Sequence, residues 1–208
     1  MLIQDTRAIV SGGASGLGLA VAELVVAAGG KVALFDVNDQ AGVDAVRKLG
    51  PAASFHKVDV TAESAVAAAV AAATTAMGGL NLAVSCAGVG WPKRMLGKEG
   101  TMPGDFFRKV IEINLVGTLL LCKEAAAAMQ QNRPNAAGER GALVMTASVA
   151  AFDGQIGQVA YAASKGGVVG MTLPMARELA SCGIRVVTIA PGLVMTPMLA
   201  ALPEEARD

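Results

Sequence analysis

The chain has 208 residues, with seventeen basic and seventeen acidic side chains that leave no formal net charge at neutral pH. That balance gives no field to attract nucleic acid or an anionic membrane, and the length fits one domain with a real core. Hydrophobic residues make up 53% but aromatic ones only 3%, a mixture suited to a buried parallel sheet under alanine-faced helices.

At the N-terminus, Met1 to Arg7 carry no basic region followed by a long apolar stretch, so no signal peptide is expected. No apolar run reaches the roughly 18 residues needed to cross a bilayer. Short β-branched runs then alternate with alanine-rich stretches. Strands are predicted over 8–11, 31–36, 54–58, 82–86, 142–146 and 185–189, with helices near 16–28, 39–49, 62–77, 104–131 and 161–181. This alternation implies an α/β fold, a doubly wound parallel sheet in a single domain over 1–208. Pro174 should kink the last helix locally. Ligands of such sheets sit at the carboxyl ends of the strands. The irregular stretch 88–104 therefore belongs to the active edge, and 132–141, with Arg133 and Arg140, to a solvated connection on the far edge.

Cys86, Cys122 and Cys182 lack CxxC spacing and read as reduced, buried thiols of a cytoplasmic protein. His56 is the only histidine, which excludes a His-based metal cluster, and no metal is expected.

Directly after the first strand stands Ser11-Gly-Gly-Ala-Ser-Gly-Leu-Gly18, opening a helix. Such glycines let the backbone turn tightly and approach a pyrophosphate, which the helix N–H groups favour. Gly12, Ser15, Gly16, Leu17 and Gly18 are the expected phosphate cradle, although a plain turn uses glycines too. Gly18 is followed by Leu19 rather than lysine, so this is no P-loop. Ser15 stands outside a GxSxG frame, so it is no hydrolase elbow. The second strand ends at Asp36, eighteen residues past Gly18, where a carboxylate binds adenosine ribose hydroxyls and repels a 2′-phosphate. NAD is favoured over NADP on that ground. Asp59 and Val60 end the third strand where an adenine would rest, and a helix-cap role with Thr61 is equally open.

Tyr161, the only tyrosine, and Lys165 are four apart at the start of a helix and so share a face. A free phenol ionises near pH ~10, and an adjacent ammonium favours the phenolate that base catalysis requires. Ser148, at the end of the fifth strand, is placed to hold a substrate oxygen against that phenol.

With those residues in view, the chain resembles the short-chain dehydrogenase/reductase family over its whole length. The likeness is carried by the glycine loop, Asp36, Ser85-Cys-Ala-Gly88, Asn114, Ser148, Tyr161-Ala-Ala-Ser-Lys165 and Pro191-Gly192. Within it, the runs 146–152, 154–158, 163–174 and 188–193 look most like the type II 3-hydroxyacyl-CoA dehydrogenases. The resemblance implies that Asn114 holds a water relaying protons from Lys165, and that Lys165 also binds the nicotinamide ribose. It implies that Pro191, Gly192, Val194 and Thr196 meet the nicotinamide, that Cys86, Ala87 and Gly88 line the cofactor groove, and that Gln155 and Gln158 face the substrate. For each a plain structural reading stays open: Asn114 as an interface residue, Cys86 as core filler, the glutamines as solvated loop groups. It further implies a homotetramer in fatty acid metabolism acting on a small molecule, an acyl-CoA or similar hydroxy compound. Lys93, Arg94 and Lys98 would meet CoA phosphates, or form only a solvated basic loop.

Three departures matter. Serine stands at 85 where the family prefers asparagine, so the braces of the fourth strand are expected to be weaker. Ser11 replaces the usual threonine and keeps the hydroxyl. After Leu202-Pro-Glu-Glu-Ala-Arg-Asp208 relatives continue with a substrate lid, a helix and a final strand, which this chain is expected to lack.

The combined expectation is an NAD-dependent oxidoreductase interconverting a secondary alcohol and a ketone, with Tyr161 as acid/base. The rivals are an NADPH-dependent 3-oxoacyl carrier-protein reductase and a catalytically silent NAD-binding module. A Ser-His-Asp hydrolase is disfavoured because His56 belongs to the strand farthest from Ser148.

Overall fold

Six of the runs rich in aliphatic residues become parallel strands because both faces of the sheet they form are covered by helices. The computed structural model describes residues 2–98 and 100–196. In chain order come β1 (Arg7–Ser11), α1 (Gly16–Ala27), β2 (Lys31–Asp36), α2 (Asp39–Leu49), β3 (Ala53–Lys57), α3 (Glu63–Met77) and β4 (Leu82–Ser85). A small hairpin of β5 (Leu96–Gly97) and β6 (Gly100–Thr101) follows, then α4 (Gly104–Ile111), a π-helical turn (Glu112–Val116) and α5 (Gly117–Gln130). The chain continues through β7 (Gly141–Thr146), a 3₁₀ turn (Val149–Ala151), α6 (Val159–Ala180) and β8 (Ile184–Ile189).

The sheet order is β3-β2-β1-β4-β7-β8, all parallel. Successive side chains of a strand point to opposite faces, and here both faces are apolar. Ile9, Ala33, Phe35, Leu143 and Met145 meet α3, α5 and α6 on one side. Ala8, Val10, Val32 and Leu34 meet α1 and α2 on the other. The chain builds outward from β1 to β3, then returns through α3 to lay β4 on the opposite flank of β1. That reversal opens a crevice between the carboxyl ends of β1 and β4, the place where such sheets bind ligands.

The predicted strands are all present, their ends displaced by at most one residue. Three expectations change. The active-edge stretch 88–104 is not wholly irregular, since it contains the β5–β6 hairpin. The single helix expected over 104–131 is two helices separated by the π turn. The connection 132–141 is more than solvated chain: Arg140 donates to the carbonyls of Asn132 and Cys182, and Asn132 donates to the carbonyls of Leu80 and Arg140. α6 runs through Pro174. The expectation attached to residues 202–208 lies outside the described residues. Among the described residues no helix is long and apolar enough to cross a membrane.

Leu143, fully buried on β7, tests the packing. Leu143→Ala should cost about 2–5 kcal/mol through lost burial and an unfilled cavity. Urea unfolding should show a lower midpoint at unchanged slope; a midpoint that does not move would contradict this core.

Candidate active site

The loop between β1 and α1 is shaped by glycines that cannot be replaced in kind. Gly12 and Gly16 adopt φ of +63° and +53°, a left-handed conformation that costs side-chain-bearing residues energy. A Cβ on Gly18 would lie 2.2 Å from the Gly12 carbonyl oxygen, and one on Gly12 would lie 2.8 Å from the Ala87 amide nitrogen. The loop is thus folded tightly on itself and against the segment after β4. Ser11 ties the two together, its carbonyl accepting from Cys86 N–H (3.0 Å) and its hydroxyl from Ala87 N–H (3.3 Å). Ser15, the N-cap of α1, makes no side-chain cap bond and lines the crevice with Gly16, Leu17 and Gly18, where the first N–H groups of a helix have capacity for an anion.

At the end of β2, Asp36 is held by two backbone donors. Its Oδ2 accepts from Ala14 N–H at 3.2 Å and its Oδ1 from Asn38 N–H at 3.0 Å. A carboxylate has further lone pairs, so Asp36 can still accept hydroxyl donors. Asp59 accepts from both the amide and the hydroxyl of Thr61 (2.9 and 2.8 Å), so the local turn-forming role is real. Asp59 and Val60 nonetheless line the same cavity.

Beyond β7 and along α6 the chemistry becomes ionisable. The Ser148 hydroxyl accepts from Ala150 N–H (3.2 Å). Lys165 is buried, its Nζ donating to the Thr146 carbonyl at 2.7 Å and lying 5.7 Å from the centre of the Tyr161 ring. Burial pushes the Lys165 ammonium down to about 8, partly offset by the nearby Cys86. The Cys86 thiol, 3.7 Å from the Thr146 hydroxyl, is itself pushed up by burial.

One cavity of about 1060 Å³ joins these parts, at the upper end of the usual range for ligand sites. Gly12, Ser15, Gly16, Leu17, Gly18, Asp36, Asp59, Val60, Cys86, Ala87 and Gly88 line it from the first half of the chain. Ser148, Gln155, Gln158, Tyr161, Lys165, Pro191, Gly192, Val194 and Thr196 line it from the second. Asn114 does not. It is completely buried behind that lining, its carboxamide bonded to Val89 and Ser164. Ser85, expected to brace β4 less well than asparagine, shares a 2.8 Å hydroxyl–hydroxyl bond with Thr118.

The lining also includes Trp91, from the active-edge stretch 88–104, and Arg108, Lys109, Glu112 and Ile113, none of these four anticipated. Lys109 Nζ lies 5.6 Å from the centre of the Trp91 ring. A signal was available: a helix following an active-edge loop must start at that edge, so its first turns face the ligand. Of the anticipated basic groups, Lys93, Arg94 and Lys98 do not line the cavity, and Lys93 instead sits 5.7 Å from the centre of the Phe106 ring.

A family model described as short chain dehydrogenase matches residues 6–207. A Drosophila melanogaster protein, "3-hydroxyacyl-CoA dehydrogenase type-2", is 49% identical over 208 residues, covering 99% of this chain and 82% of that one. The Bos taurus protein of the same name is 47% identical, with 99% and 80% covered. Among solved structures, 3-hydroxyacyl-CoA dehydrogenase type-2 from Mycobacterium avium superposes with a TM-score of 0.88 at 43% identity, covering 99% of this chain and 80% of its own.

The buried ammonium has a thermodynamic signature in ligand-free protein. Below about pH 8 the native state carries the charge at a desolvation cost. Between about 8 and the ordinary 10.5 the unfolded lysine keeps a proton that the native one releases, so stability rises with pH. Lys165→Met should therefore be at least as stable as wild type at pH 7. Its advantage should shrink by up to about 3 kcal/mol as pH climbs through that window. Chemical denaturation of both proteins at pH 7, 8, 9 and 10 reads this directly, and a constant difference would refute it.

Proposed function

The chain belongs to the short-chain dehydrogenase family and is an oxidoreductase acting on CH–OH groups; within that family we propose that it interconverts 3-hydroxyacyl-CoA and 3-oxoacyl-CoA with NAD, using Tyr161 as acid/base. The observation that carries this reading is one cavity lined by Tyr161, Ser148, the buried Lys165, the glycine loop and Asp36.

The residues fit a dinucleotide. Gly12, Ser15, Gly16, Leu17 and Gly18 line the cavity at the start of α1, where a pyrophosphate would approach the backbone N–H groups. Asp36 would take the adenosine ribose hydroxyls, and Asp59 and Val60 the adenine. The nearby loop and strand end contribute no lysine or arginine to the lining, which favours NAD over its 2′-phosphorylated form. Cys86, Ala87 and Gly88 would form the groove floor, with Pro191, Gly192, Val194 and Thr196 at the nicotinamide. When bound, NAD supplies a hydride acceptor for the alcohol carbon.

The protein's own groups handle the proton and the alignment. Ser148 accepts from Ala150 N–H, which leaves its own proton to donate to the substrate oxygen. Tyr161 Oη takes the hydroxyl proton in oxidation and returns it in reduction. Lys165 uses one N–H on Thr146 and keeps two, enough to bind a ribose and to stabilise the phenolate. Gln155 and Gln158 line the cavity, with the Gln158 carboxamide oxygen accepting from Gln155 N–H, and would face the acyl chain. Any CoA phosphate would meet Arg108 and Lys109, the cations at α4 that line the cavity, rather than Lys93, Arg94 or Lys98.

Two wider inferences accompany this. Leu119, Val159 and Leu173 stay exposed on α5 and α6, which supports subunit packing through those helices, in a homotetramer. The three cysteines are free thiols, in keeping with the reducing cytoplasm.

Reduction of acetoacetyl-CoA should proceed with NADH at least tenfold more efficiently than with NADPH. Tyr161→Phe should lower kcat by about 10²–10⁴-fold while NADH affinity stays within about threefold of wild type, as measured by protein fluorescence. Unchanged turnover in the variant would refute the acid/base role, and a strong NADPH preference would refute the cofactor assignment.

A further inference from the structure

Behind the cavity lies a chain of buried hydroxyls and amides that no reacting atom touches. It begins at Ser85, the last residue of β4, whose hydroxyl is 2.8 Å from that of Thr118 on α5. Thr118 spends its only hydroxyl proton on the Asn114 carbonyl, at 2.8 Å, so Ser85 must be the donor to Thr118. All three residues are buried, Asn114 completely.

The Asn114 carbonyl that Thr118 holds lies in the π turn. There the Gly117 N–H reaches back five residues to Glu112, instead of four as in an α-helix. The turn is wedged in place by Gly117, where a Cβ would lie 2.6 Å from a Val60 methyl group. From this anchored backbone the Asn114 carboxamide spans two segments of the site. Its Oδ1 accepts from Val89 N–H (2.8 Å), and its Nδ2 donates to the Val89 carbonyl (3.0 Å) and to the Ser164 hydroxyl (3.0 Å). Ser164 in turn donates to the carbonyl of Tyr161 at 2.7 Å. Every donor of the carboxamide is used, so a small tilt of the turn would move the Val89 lining and the first turn of α6 together.

We propose that Ser85 and Thr118 are positioning residues, whose paired hydroxyls hold the Asn114 carbonyl and, through the Asn114 carboxamide, set the Val89 wall against the helix that carries Tyr161. This rests on the reading of Tyr161 as acid/base for its catalytic consequence, but not for its structural one. The serine that departs from the family preference at position 85 is part of this link. A serine hydroxyl at the end of β4 is short enough to meet the Thr118 hydroxyl directly.

Thr118→Val keeps the shape and removes the hydroxyl; Thr118→Ser keeps the hydroxyl. Assayed well below its melting temperature, Thr118→Val should lose at least tenfold in kcat with substrate KM within about twofold, and Thr118→Ser should recover to within about threefold of wild type. Hydrogen–deuterium exchange gives a readout independent of turnover. Protection of the Val89 amide should fall at least tenfold in Thr118→Val and be retained in Thr118→Ser. If Thr118→Val does not fold, Ser85→Ala, which cuts only the first link, should show the same two losses to a smaller degree. Unchanged Val89 exchange in the folded valine or alanine variant would overturn the proposal, as would a serine variant as impaired as the valine one. If wild type reduces no ketone, the catalytic reading fails while the exchange measurement still decides the link.

Discussion

A lysine ammonium inside a hydrophobic domain is the constraint around which this site is arranged. Lys165 gives up most of its hydration and receives one protein carbonyl, that of Thr146, in return. A single hydrogen bond does not repay the burial of a charge, and the depressed ammonium pKa records the difference. Strongly perturbed groups of this kind concentrate at functional sites, and Lys165 lines the cavity. Tyr161 lies one helical turn back on the same face, with its ring 5.7 Å from the ammonium.

That placement depends on two junctions of the fold. β7 must end at Thr146 so that its carbonyl points at Lys165 and Ser148 follows on the next turn. α6 must begin at Val159 so that Tyr161 and Lys165 both face the crevice. The sheet holds the first junction through β4 and β8 on either side. The second is held from behind by Ser164 and Asn114. On the opposite side of the crevice, the glycine loop leans on Ala87 closely enough that no side chain could intervene. The glycine loop and the start of α6 thus share a border segment, residues 86–89, bonded to Ser11 on one side and to Asn114 on the other.

Much of this was legible from residue order because it is local. The strands announce themselves as apolar runs with turn residues between them, and the glycine loop, Asp36 and the Tyr161–Lys165 pair are each defined by spacing within a few residues. What could not be read is non-local. Nothing between 104 and 131 announces a π turn, and the contacts made there, Gly117 with Val60 and Thr118 with Ser85 across 33 residues, are remote in sequence. For the same reason Asn114 could be recognised as significant but not as a clamp on Val89. The basic loop left two readings open: Lys93, Arg94 and Lys98 cluster in sequence, but Lys93 folds over Phe106 while Arg108 and Lys109, inconspicuous on a helix, line the cavity.

In the proposed reaction a hydride crosses between nicotinamide and the C3 carbon of an acyl-CoA within this cavity. Acetoacetyl-CoA incubated with the chain and NADH deuterated at C4 of the nicotinamide, on each face in turn, tests it most directly. Mass spectrometry of the product should find one deuterium at C3 of 3-hydroxybutyryl-CoA from one of the two labelled cofactors. Absence of product, or product without deuterium from either cofactor, would contradict the proposal.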